Sequence, residues 1–176
     1  MRKLVMSIAI LSALISADAQ AFQKPQEIHA AIKSDKPYGA GTLRWTFFDV
    51  YDSSIWTDAA QWSYKNPFAL SITYKMKFTT QQLVEKSVDE MKRLHNLGEK
   101  DLAAANKALS KLFKDVKEGD RITAFYEPES KVAFYYNGKL QGNLTQKNLL
   151  IPFMDIWLSP DTERPELRAK LLNTKD

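Results

Sequence analysis

The clearest register in the chain lies in Pro67–Phe78, where Phe68, Leu70, Ile72, Tyr74, Met76 and Phe78 alternate with Ala69, Ser71, Thr73, Lys75 and Lys77. Successive side chains of a strand point to opposite faces, so this spacing predicts an antiparallel strand with one apolar and one polar face. The period then changes. Leu83, Val84, Val88, Met91 and Leu94 recur every three or four residues after Thr79 and Thr80, either of which can cap a helix that Gly98 ends. Leu102–Phe113, Lys147–Leu158 and Pro165–Leu172 read as three further helices. Pro152 should end, kink or restart the third of the four, because proline removes a backbone donor.

Upstream, Gly39 and Gly41 bracket the entry into Leu43–Asp52, read as one strand with Leu43, Trp45, Phe47 and Tyr51 on one face and Arg44, Thr46, Phe48 and Val50 on the other. Both faces carry apolar residues, as in a strand covered on two sides. Phe22–Ile32 reads as a short edge strand, and 33–38 as a loop rich in Ser, Asp and Pro. Downstream, Ile122–Tyr126, Val132–Tyr136 and Lys139–Leu144 are strands. Asn137-Gly138 supplies the pair of positive-φ residues that a two-residue hairpin turn requires. Grouped strands and consecutive helices predict an α+β fold: a large antiparallel sheet packed by a layer of helices.

Residues 1–21 stand apart from this pattern. Arg2 and Lys3, the apolar run Leu4–Ile15 and the small-x-small site Ala19-Gln20-Ala21 have the order of a cleavable export signal. The run is shorter than the roughly 20 apolar residues of a membrane span. Residues 22–176 then form one domain, expected in the periplasm without a stable membrane anchor after cleavage. The chain has no cysteine, which excludes disulfides, thiol nucleophiles and cysteine metal sites. Removing two cations and one anion with the signal lowers the formal charge from +4 to +3, with the lysines scattered among acids. Nucleic-acid-binding domains concentrate their positive charge, so no such partner is expected.

Candidate chemistry is sparse. His29 and His95 stand in no metal-ligand spacing, and Gly39-Ala40-Gly41 lacks the third glycine of a dinucleotide loop and enters a strand, so neither metal nor cofactor is expected. Asp49 and Asp52 are a conceivable acid pair, but three residues along a strand places them on opposite faces. The simpler roles are a structural hydrogen bond for Asp49 and a turn at Ser53-Ser54 helped by Asp52. Asp120, after Gly119, ties a turn through backbone hydrogen bonds. Nine Phe, seven Tyr and four Trp can line a cavity for a flat or long apolar molecule.

Five segments, Gly39–Asp52, Lys117–Ile122, Phe134–Gly138, Ile156–Pro160 and Leu167–Leu172, together resemble the bacterial, exported members of the chalcone isomerase-like family. The resemblance implies a cleft between sheet and helices. In the plant enzyme this cleft cyclises a chalcone with an arginine, a threonine, a tyrosine and an asparagine, and in non-catalytic members it holds fatty acids. Thr46, four residues before Val50-Tyr51, matches the threonine, and Arg44 stands near the place of the arginine. The tyrosine and asparagine fall on Thr80 and Ser87, which lack their groups. Losing one oxyanion-type donor typically costs about a hundredfold in rate. The expected function is therefore non-catalytic binding of an apolar or amphipathic small molecule such as a fatty acid, with Arg44, Thr46 and Tyr74 as ligand-binding residues. The alternatives are a lyase or isomerase drawing its base from Asp49 or Asp120, and a structural partner of another envelope protein.

Overall fold

The structure, a computed structural model, describes residues 22–174. The export signal expected over 1–21 lies outside the described residues. Six strands form one sheet in chain order: β1 (Gly39–Trp45), β2 (Phe48–Trp56), β3 (Phe68–Tyr74), β4 (Arg121–Glu127), β5 (Lys131–Tyr136) and β6 (Lys139–Leu144). Every neighbouring pair is antiparallel. Helices α1 (Thr80–His95) and α2 (Glu99–Leu112) fall between β3 and β4, and α3 (Lys147–Leu158) and α4 (Pro165–Leu172) follow β6.

Cross-strand register explains how one sheet serves two cores. Ile55, Leu70, Ala124 and Phe134 are successive partners across β2 to β5 and face the helices, where Met91, Leu109, Phe153 and Leu171 are buried against them. One residue along, Trp56, Ala69, Phe125 and Ala133 form the parallel row on the opposite face. Large and small side chains alternate along that row, so Trp56 and Phe125 fill the room the alanines leave. Ile28 and Ile32 close it from outside. The 22–32 segment is accordingly a cover carrying a 3-10 turn at Gln26–Ile28, not the edge strand its sequence suggests.

Local signals set most boundaries. Thr79 caps α1 reciprocally with Gln82: Thr79 Oγ1 accepts from the Gln82 N–H at 3.2 Å while Gln82 Oε1 accepts from the Thr79 N–H at 2.8 Å. Asn96, left-handed at φ 47°, ends the helix, whereas Gly98 becomes the N-cap of α2. Asn137 and Gly138 reverse the chain at φ 47° and 82° as expected. α3 runs through Pro152 without ending. Leu149, Leu150, Phe153 and Met154 are buried around it, and their packing offsets the missing hydrogen bond. At Gly39 a Cβ would collide with the carbonyls of Lys170 and Leu171, so only glycine lets β1 lie against the end of α4.

The largest departure concerns Leu43–Asp52, which is two strands. The chain reverses at Thr46-Phe47, with Trp45 paired to Phe48 and Thr46 at φ 53°. A bulge follows, since Leu43 pairs with Tyr51 but Arg44 with Asp49. The extra residue breaks strict alternation, and Asp49 and Asp52, expected on opposite faces, both reach Lys75 Nζ at 3.5 and 3.1 Å. Ser53 and Ser54 continue β2 rather than turning.

Candidate functional site

Strands β1–β3 and helices α1, α3 and α4 enclose a pocket of about 350 Å³. Leu43, Val50, Tyr51 and Tyr74 form its sheet side, and Leu83, Phe78, Phe113, Ile156, Trp157 and Leu167 line it from the helices and their connections. This wall is overwhelmingly apolar. Polar groups gather where Gln82, Lys86, Glu90, Thr162, Glu163 and Arg164 approach it. Exposed Trp45 stands at the edge on the sheet side.

Two phenols and one guanidinium give the pocket its chemistry. Trp157 Nε1 donates to Tyr51 Oη at 2.9 Å, leaving the Tyr51 hydroxyl proton available for another acceptor. Tyr74 packs edge-on to Tyr51, with ring centroids 6.0 Å apart. Burial pushes the Tyr51 phenol up to about 12, against the lowering effects of the Trp157 hydrogen bond and the Arg164 charge. Burial, and secondarily Tyr51, raises Tyr74 as well. Both phenols therefore stay protonated donors throughout the physiological range.

Arg164 is half-buried between Glu163 and Pro165, and Pro165 opens α4. The residue before a proline is steered away from the helical region, and Arg164 sits at φ −129°, ψ 65°. Among the described residues its side chain has no ion-pair or hydrogen-bond partner; only its backbone N–H donates, to Thr162 Oγ1 at 3.4 Å. The loop that presents it is fastened to α1. Arg93 donates to the Asp161 carbonyl at 3.0 and 3.1 Å, and Lys86 bridges Glu90 and Glu163 at 2.9 Å each. Burial would raise the Glu90 carboxyl, but hydrogen bonds from Arg93 and Lys86 outweigh it and hold the group low. The neighbouring charges are thus satisfied by one another, and among the described residues Arg164 is the pocket cation left over.

The residues expected to bind ligand separate. Tyr74 lines the pocket. Arg44 does not: its exposed side chain donates from Nε to Asp49 Oδ1 at 2.6 Å. Thr46 lies outside as well, on the hairpin turn, where Oγ1 donates to the Trp45 carbonyl at 2.7 Å. The reversal at residues 46–47 carries both away from the cavity. Ser87 lines the pocket but donates to the Leu83 carbonyl at 2.8 Å, and Thr80 is engaged outside it by Asp115. The sequence reading missed Arg164, Tyr51 and Trp157 as a group, because the signal is the meeting of β2, α3 and the turn before α4 rather than any spacing along the chain.

The candidate bases are occupied. The Arg44 hydrogen bond and charge hold the Asp49 carboxyl low, with Lys75 adding to them against slight burial. Burial opposes the lowering of Asp120, but donors from Asn137, the Lys117 N–H and Tyr136 prevail. Neither residue lines the pocket. His95 pairs with Asp155 at 2.8 Å, and among the described residues no cluster of three or more acidic or histidine side chains could hold a metal ion. No helix there is long and apolar enough to cross a membrane.

Comparison with known proteins places this geometry. Residues 17–173 match the family model described as chalcone isomerase-like. Among solved structures, a fatty-acid binding protein of Arabidopsis thaliana superposes with a TM-score of 0.61 at 11% identity, over 78% of this chain and 86% of that one. Curated protein sequences contain no match.

Proposed function

The chain belongs to the chalcone isomerase-like family, and from that premise we propose that it is a non-catalytic binding protein for an amphipathic carboxylic acid with a long apolar body, such as a fatty acid. The observation that carries the proposal is Arg164: a half-buried arginine at the edge of an apolar pocket, without an anionic partner among the described residues. An arginine binds a carboxylate through two parallel N–H donors. The Tyr51 and Tyr74 hydroxyls add neutral donors on the sheet side, and each methylene buried along the wall contributes about 0.8 kcal/mol. The fatty-acid binding protein of similar fold supports the same ligand class. Arg164 takes the charge-neutralising role first expected of Arg44, and Tyr74 keeps its orienting role.

The protein is further proposed to act in the periplasm after loss of residues 1–21, a reading supported by the charged, apolar and small-residue order of that segment. Fractionation of cells expressing the full chain tests the location. Titration with a fluorescent fatty acid, displaced by an unlabelled long-chain acid, tests the binding. Saturable uptake with one site per chain is expected, and a protein that takes up neither molecule defeats the proposal.

A further inference from the structure

The β1–β2 hairpin ends in three exposed aromatic side chains. Phe47 at the reversal is 97% exposed, and the cross-strand pair Trp45 and Phe48 are 67% exposed each. Large exposed apolar side chains gathered in one place mark an interaction surface. We propose that this tip is a membrane-docking element that seats in the interfacial layer of a lipid bilayer and brings the mouth of the pocket to the lipid surface.

Three observations favour lipid over a protein partner. At about 200 Å² each, and with Trp45 and Phe48 only 67% exposed, three aromatic side chains offer less than the roughly 800 Å² per partner of a standard protein interface, whereas they suit shallow insertion among lipid headgroups. The surroundings suit such a surface: beside the tip the side chains of Arg44 and Lys75 are more exposed than those of Asp49 and Asp52 with which they pair, so the outward charge is positive. Trp45 belongs both to the tip and to the pocket lining, so the apolar surface continues from outside into the cavity. This last point rests on the proposed pocket function; the first two do not.

The hairpin is also built to keep its shape. Arg44 and Asp49 lock its two strands through a 2.6 Å contact, and Lys75, just after β3, anchors Asp49 and Asp52. Phe47 meets the solvent with its whole ring, so replacing it removes no packing from the domain.

Flotation with vesicles of phosphatidylethanolamine and phosphatidylglycerol, and separately of phosphatidylcholine, tests the proposal on the purified protein. The wild type is expected to float with the mixed vesicles. Phe47→Ser should lower partitioning at least about tenfold, the loss expected from one large apolar side chain, and adding Phe48→Ser should lower it further. Uptake of a fluorescent fatty acid from lipid-free solution should be unchanged in Phe47→Ser, which separates docking from binding. A wild type that floats with neither vesicle, or variants that float as well as the wild type, would overturn the proposal. So would the capture of a protein through this tip without vesicle binding. Vesicle binding that depends on Phe47 in a protein unable to take up the fatty acid would sink the pocket reading and leave the docking intact.

Discussion

Arg164→Ala is the sharpest perturbation of the pocket, because it removes a charge that nothing else among the described residues satisfies. A hydrogen bond to a charged partner contributes about 1.5–3 kcal/mol, so loss of the guanidinium should weaken binding of a long-chain carboxylate about 10- to 150-fold. The apolar wall is untouched by the change. The variant should therefore bind a fatty alcohol of equal chain length as the wild type does, and the preference for acid over alcohol should collapse. Isothermal titration with both ligands at neutral pH measures all four affinities and isolates the coupling. Arg44→Ala is the internal control: its side chain is paired with Asp49 outside the pocket, and neither ligand should notice its loss. Burial keeps Tyr51 and Tyr74 protonated, so the acid preference should stay level from about pH 6 to 9. An Arg164→Ala variant that discriminates acid from alcohol as well as the wild type, or an Arg44→Ala variant that loses the discrimination, would refute this placement of the charge.

Other expectations concern the frame around the site. Asp120 accepts from Lys117 N–H, Tyr136 and Asn137, and Asp120→Ala should cost about 2–3 kcal/mol in urea unfolding. Because its folded-state pKa is lowered, its contribution is present above the unfolded value near 3.9 and is lost as the pH falls through the folded one, so wild type and variant should converge in stability in strong acid. Thr46→Gly should stabilise the fold by about 0.5–1 kcal/mol by relieving a β-branched residue at φ 53°, with ligand affinity unchanged. Gly39→Ala should destabilise by at least about 2 kcal/mol, read as a lower thermal midpoint, because its methyl group meets backbone carbonyls of α4 that cannot step aside.

Where local chemistry and tertiary packing agree, the fold was readable from residues alone. The alternation of Phe68 to Tyr74 survives as β3, Asn137-Gly138 makes the last hairpin, and Pro165–Leu172 is α4. The reversal at Thr46-Phe47 was hidden because neither residue favours positive φ, so the strand-forming character of Leu43–Asp52 read straight through it. That single reversal moved Arg44 and Thr46 out of the pocket and, with the bulge beside it, brought Asp49 and Asp52 to one lysine. Tyr74 was legible as a cavity residue because it ends the apolar face of a regular strand. Arg164 was not, since what sets it apart is the lack of a side-chain partner among the described residues, and a sequence lists charges without their pairings.

Native mass spectrometry of the protein purified without delipidation tests the central claim most directly. The account predicts a one-to-one adduct that, on denaturation, releases a long-chain carboxylic acid, and an Arg164→Ala preparation with that adduct largely missing. Wild-type protein that carries no such acid and acquires none when incubated with one would contradict it.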